Sequence, residues 1–170
     1  MEKRSEDWRK KSHELRQYYG IPLGARPWTS KPGVRLAGVV ANDRVRDLID
    51  IAWAVCSDGL EGDDLESVRK ALIVDYSQDV GRKPWSMTIG TFTTSSCIYS
   101  YGKDAKIREQ EKFFMCGFDQ STDFGDIAES ALRDLVGDCM ALPCVGAVVA
   151  SAAVGAELPR LWSESSAPPC

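Results

Sequence analysis

The chain has 170 residues, of which 44% are hydrophobic and 27% charged, and its formal net charge is −4 at pH 7. A chain of this length can form one domain that buries about 70% of the surface exposed in its unfolded state. This composition excludes wholesale disorder, a collagen-like repeat and a protein of many membrane spans.

The net charge hides an uneven distribution along the chain. Residues 1–35 hold nine basic and four acidic residues, whereas the remainder holds 12 basic and 21 acidic ones. The N-terminus MEKRSEDWRKK lacks the apolar run of a secretory signal and carries acids that transit peptides avoid. We therefore expect a basic N-terminal region before an acidic body, in a cytoplasmic protein, including the cytoplasm of a host cell.

The first predicted element is a helix from Ser5 to about Tyr19. Serine can cap a helix start, the acids after it suit the positive end of the helix dipole, and Gly20 can end the helix. Helical spacing gives this segment two stripes. One is apolar and contains Trp8, Leu15 and Tyr19; the other is polar or basic and contains Arg9, His13 and Arg16.

The segment 20–42, called the arm below, follows this helix. It contains three prolines and four glycines and no acidic residue, a composition that disfavours a long helix. The sequence predicts an extended or irregular arm whose apolar residues anchor it to the rest of the protein.

Two helices are predicted next, and they should form a hairpin across the turn SDGLEGDD. The first is capped by Asn42 or Asp43 and ends before Gly59, with an apolar stripe that includes Leu48 and Trp53. The second is predicted from Asp63 to Gly81.

The residues after 84 are rich in β-branched and aromatic side chains. They predict two short strands, at about 85–93 and 96–101, that pair as an antiparallel hairpin. Further helices are predicted over 103–119 and 121–139. A last apolar segment, 142–158, is too short and too rich in alanine for a membrane span, and predicts a buried helix.

These elements predict an α+β, mainly α-helical fold, a helical bundle of about five to six helices with one small antiparallel β-hairpin. Residues 1–41 would be the basic helix and arm, and 42–158 a globular helical core with the hairpin near 85–101. Residues 159–170 would form a loose C-terminal tail.

No catalytic residue, metal site or cofactor is predicted. The six cysteines are expected to be reduced in a chain without a secretory signal, and Cys139 and Cys144 in CMALPC are too widely spaced for a zinc pair. His13 is the one histidine, and in a charged helix it is better explained as a solvated residue than as a catalytic base. Acidic groups near residues 63 and 119–126 fit helix starts better than Mg²⁺ ligands.

The N-terminal region supplies the residue types that bind single-stranded nucleic acid. Lysine and arginine release counterions from phosphates, and aromatic rings stack on unpaired bases. The candidate phosphate-binding residues are Arg9, Lys10, Lys11, Arg16, Arg26, Lys31 and Arg35. The candidate stacking or docking aromatics are Trp8, Tyr18, Tyr19 and Trp28. An ordinary amphipathic helix docked through Trp8 and Tyr19 explains the same pattern.

The layout of two helices, a hairpin containing KPWSMTIGTF and further helices is similar to that of rod-shaped plant-virus coat proteins, in which a helical bundle carries a small sheet. The resemblance covers residues 43–101 and consists of the pattern of elements. It implies a structural protein that self-associates.

The sequence therefore predicts a non-enzymatic binding or structural protein of virus-type or host-interaction character. It would self-associate as a homo-oligomer and contact nucleic acid, such as single-stranded RNA, through the basic N-terminal region, with no membrane partner. A basic arm could instead meet the acidic body of a neighbouring copy. One alternative is a protein-binding adaptor or effector without nucleic-acid binding, and another is a small enzyme that uses a cysteine or carboxylates.

Overall fold

The chain divides into two compact units, Met1–Arg108 and Glu109–Cys170, and the division falls inside the region predicted as one helical core. A computed structural model describes residues 2–88, 90, 92–139, 145–147 and 149–151, with side chains from residue 7 onward. This part of the chain contains five α-helices, one short 3-10 helix and a four-stranded antiparallel sheet. The predicted α+β, mainly helical class is confirmed.

Helix α1 spans Glu2–Tyr18, so it begins before the predicted cap at Ser5. Its end follows the prediction, because Gly20 adopts a φ of 67° that favours glycine. The Ile21 amide donates to the Arg16 carbonyl at 2.8 Å and the Gly20 amide to the Gln17 carbonyl at 3.2 Å. These two bonds form a Schellman motif, which ends the helix and turns the chain into the arm.

Helix α2 spans Asp43–Ser57, as predicted. Asn42 is its N-cap, and the side-chain oxygen of Asn42 accepts a bond from the Val45 amide at 3.0 Å. Helix α3 spans Gly62–Ala71 and contacts α2, which confirms a helical pair. The predicted continuation of α3 to Gly81 is wrong, since residues Ile73–Asp75 form strand β1.

The four strands are arranged in the order β2-β1-β3-β4. Strand β1 is Ile73–Asp75, β2 is Trp85–Ser86, β3 is Ile98–Ser100 and β4 is Ala105–Lys106. Both predicted strand regions therefore contain strands, but β2 and β3 do not pair with each other. Each pairs with β1, which lies between them.

The predicted hairpin partner was wrong because β1 was assigned to a helix. Leu72 and Val74 are fully buried, and apolar residues in a short run do not distinguish a buried strand from a buried helix. Strand β4 lies inside the segment predicted as a helix over 103–119. It pairs with β3 across a tight turn in which Asp104 has a φ of 50°.

The core of the first unit joins α2, α3, the sheet and the arm. Trp28 and Leu36 of the arm are buried in this core together with Trp53, Tyr99 and Tyr101. The rings of Trp28 and Trp53 lie 4.4 Å apart between centroids. The prediction that apolar residues anchor the arm is confirmed, and the arm packs on its own chain.

The second unit contains helices α4, Glu109–Met115, and α5, Glu129–Asp138. Both are shorter than the helices predicted over 103–119 and 121–139. The Lys112 ammonium lies 2.6 Å from the Glu109 carboxylate, and both side chains are fully buried. Arg133 of α5 lies 3.5 Å from the other oxygen of Glu109, which links the two helices.

Most of the predicted buried helix at 142–158, and the whole predicted tail at 159–170, lie outside the described residues. Residues 145–147 and 149–151 are helical, but they are half-buried or exposed. The prediction of burial is therefore wrong for these residues, of which Val149 is 61% exposed.

Candidate nucleic-acid interface

A groove of about 190 Å³ lies between α1, the first turn of the arm and α2. It brings together several of the predicted contact residues, and we call it the N-terminal groove. Its lining residues are Trp8, Arg9, Ser12, His13, Arg16, Leu23, Gly24, Arg26 and Asp47.

The groove follows from the spacing along α1 and from the turn after it. Arg9, His13 and Arg16 recur at helical intervals and therefore share one side of α1. The Schellman motif sends the chain back along the helix, so that Leu23 and Arg26 reach the same side. Asp47 of α2 completes the lining.

Arg16 is an internal anchor, because its side chain is only 2% exposed. Its Nε and Nη2 atoms donate to one oxygen of Asp47 at 3.1 and 2.7 Å. Its remaining bonds reach the carbonyl oxygens of Pro22 and Ala25 at 2.9 and 3.1 Å. Arg16 therefore fixes the first turn of the arm on α2 and forms a wall of the groove, with its charge balanced by Asp47.

Asp50, one helical turn after Asp47, holds the next part of the arm. Its carboxylate is fully buried and accepts bonds from the amides of Trp28 and Thr29 at 2.9 and 2.8 Å and from the Thr29 hydroxyl at 2.6 Å. The complementarity of basic arm and acidic body is thus realised within one chain.

Arg26 and Arg9 have donors directed to no protein acceptor. Only Nη1 of Arg26 makes contacts, at 3.4 Å from Asp47 and 3.5 Å from Asp50, and the side chain is 34% exposed. Arg9 is exposed. Within the part of the chain that the structure describes, its guanidinium has one close partner, the Trp8 ring at 5.5 Å. These two guanidiniums are the cationic groups of the groove that remain open to a ligand.

The other predicted basic residues lie outside the groove. Lys11 pairs with Asp7 at 2.9 Å and Asp79 at 3.2 Å, and hydrogen bonds from these carboxylates raise the pKa of Lys11. Lys10 is 79% exposed and lies 4.0 Å from Glu14. Arg35 is exposed.

Lys31 caps the aromatic core. Its ammonium lies 4.2 Å from the ring centroid of Trp53 and 5.0 Å from that of Trp28, distances typical of cation–π contacts. Burial, with a smaller effect of the Arg69 charge, lowers the pKa of Lys31.

The predicted aromatics separate into two groups. Trp28 is buried, and its indole N–H donates to the Tyr99 hydroxyl at 2.8 Å, so it has a structural position. Trp8 and Tyr19 are half-buried, and Tyr18 is 76% exposed. Trp8 is thus the predicted aromatic residue that lines the groove, and Tyr18 lies on the same helix two and a half turns further on.

Sequence reasoning missed Asp47 and Asp50 as the partners of the basic arm. The signal was present, since both acids fall among the apolar positions 45, 48, 49 and 52 of α2. A carboxylate on the buried side of a helix requires a partner, because burying an unpaired charge is costly. The cationic segment nearest in sequence is the arm.

The described cysteines are free thiols, and Cys144 of the CMALPC pair lies outside the described residues. Burial raises the pKa of both Cys56 and Cys116, which favours the protonated, less nucleophilic form. No group of three or more potential metal ligands occurs in the described ranges.

No protein-family model matches the chain, and no curated protein or solved structure matches it. The similarity to rod-shaped plant-virus coat proteins therefore gains no support from these comparisons. Over residues that the structure describes, no helix is both long enough and apolar enough to cross a bilayer.

Proposed function

We propose that the protein is a non-enzymatic binding protein that takes up single-stranded nucleic acid in the N-terminal groove. The observation that supports this is the meeting of Trp8, Arg9 and Arg26 around one cavity. An aromatic ring beside guanidiniums is the combination that binds a base and its phosphate together.

The size of the groove favours part of a polymer over a free small molecule. Sites that enclose a drug-sized ligand have volumes of about 300–1,000 Å³, whereas this groove has about 190 Å³. It accommodates one group of a longer ligand, with the rest of the strand running along the exposed surface of α1 near Lys10 and Tyr18.

Fluorescence anisotropy with a labelled single-stranded RNA of about 12 nucleotides tests this proposal, since single-strand sites span about 4–16 nucleotides. We expect binding at low salt that weakens as salt rises, with a slope of about −1.4 in log K against log salt for two phosphate contacts. The variants Arg9→Ala and Trp8→Leu should each weaken binding about tenfold.

Lys70→Ala is the matched control, because Lys70 is an exposed cation on α3 outside the groove. Its replacement removes the same charge and should leave the affinity nearly unchanged. Equal weakening by Arg9→Ala and Lys70→Ala would show a general charge effect and reject the groove as the site. Absence of RNA binding at low salt would reject the proposed function.

Self-association, a virus-type or host-interaction role and a cytoplasmic location stay predictions. The arm bonds to carboxylates of its own chain, so self-association through exchanged arms would require those bonds to form between copies. Light scattering measures the mass directly, and the mass of a single chain over micromolar concentrations would exclude a stable homo-oligomer.

A further inference from the structure

We infer that the N-terminal groove recognises a terminal phosphate monoester of the nucleic acid, at a phosphorylated strand end, rather than an internal phosphodiester. This inference rests on the proposed function and specifies the chemical group that enters the groove. It is carried by the number, the position and the hydrogen-bonding state of the guanidiniums that line the cavity.

The first step is the charge that the groove offers to a ligand. Arg16 and Asp47 neutralise each other through short bonds of 2.7 and 3.1 Å. Arg9 and Arg26 remain, and both line the same small cavity. A phosphate monoester carries a charge of about −1.5 to −2 at pH 7, whereas an internal phosphodiester carries a single charge. Two open guanidiniums in one cavity suit the more highly charged group.

The second step is hydrogen-bonding geometry. A guanidinium presents its donors as a planar fork that matches pairs of phosphate oxygens. Nη1 of Arg26 is held toward Asp47 and Asp50 by long contacts of 3.4 and 3.5 Å, which leaves Nε and Nη2 without an acceptor among the described residues. Arg9 adds a second fork, and a terminal phosphate has three free oxygens to satisfy both.

The third step is the neighbouring surface. Trp8 and Leu23 line the groove beside the two arginines, so the base of the terminal nucleotide can lie against an aromatic ring while its phosphate meets Arg9 and Arg26. Leu23 is 60% exposed, which leaves an apolar contact available at the mouth of the groove.

The test compares one labelled single-stranded RNA sequence in three forms: with a 5′-phosphate, with a 3′-phosphate and with hydroxyls at both ends. We expect one of the phosphorylated forms to bind about tenfold more tightly than the hydroxyl form. Which form binds more tightly identifies the end that enters the groove. Excess inorganic phosphate should compete more strongly with that form than with the hydroxyl form.

The preference should disappear in Arg9→Ala and decrease in Arg26→Lys, which keeps the charge but loses the fork. Lys70→Ala should retain the preference, and thermal unfolding of each variant shows whether it is folded. Equal binding of all three RNAs would overturn this inference and leave the proposed function intact. A preference that persists in folded Arg9→Ala and Arg26→Lys would also overturn it. If none of the RNAs binds, both proposals are rejected.

Discussion

The contact between Arg16 and Asp47 is the main attachment of the N-terminal region, and Arg16→Ala should therefore destabilise the first unit strongly. The substitution removes four hydrogen bonds and leaves the Asp47 carboxylate in a buried position without its principal cation. Breaking a buried pair in this way costs about 3–5 kcal/mol.

The expected cost lies near the lower limit, about 3 kcal/mol, because Asp47 keeps Ser12 and Arg26 as partners and its side chain is 12% exposed. With a urea dependence of about 2 kcal/mol per molar, the unfolding midpoint should decrease by about 1.5 M. Tryptophan fluorescence follows this transition, since Trp28 and Trp53 lie in the core that the arm completes.

Lys10→Ala is the control, since Lys10 is exposed and on the same helix. It should change stability by less than about 0.5 kcal/mol. The cost of Arg16→Ala should persist at about 1 M salt, because salt screens a buried pair weakly. A midpoint shift no larger than that of Lys10→Ala, or one abolished by salt, would refute the anchoring role of Arg16.

Further predictions concern the aromatic core and the sheet. Tyr99→Phe should cost about 1–3 kcal/mol in urea unfolding, because the buried Trp28 indole N–H loses its acceptor. Burial raises the pKa of both Tyr99 and Tyr101, so neither should ionise in an ultraviolet titration while the protein stays folded. Their raised pKa also predicts stability that is lost as the pH rises above about 10, the ordinary tyrosine value, and early ionisation of all tyrosines would contradict it. Gly102→Ala should destabilise by about 1–3 kcal/mol, because its Cβ would lie 3.0 Å from a main-chain oxygen of α3, whereas Gly90→Ala meets nothing within 4 Å and serves as its control.

Local signals in the sequence predicted the helices well where the helix boundaries depend on neighbouring residues. Asn42 caps α2 through a bond to an amide three residues away, and Gly20 ends α1 through a positive φ. Both features are local, so the sequence could indicate them without knowledge of the fold.

The wrong assignments occur where distant residues decide the structure. Val74 is in a strand because it pairs with Trp85 on one side and Tyr99 on the other, and no local preference specifies these partners. The same reasoning applies to the basic residues. Composition marked Arg16 and Arg26 as cations, but it could not show that Asp47 holds Arg16 inside the protein while Arg26 remains partly open.

The most direct test of the proposed function is a two-dimensional ¹H–¹⁵N spectrum of the indole N–H groups during titration with single-stranded RNA. The signal of Trp8, in the groove, should shift progressively as RNA is added. The signal of Trp28, which is buried and bonded to Tyr99, should remain in place. Movement of the Trp8 signal that is lost in Arg9→Ala would support the groove as the binding site, and an unchanged Trp8 signal at saturating RNA would contradict it.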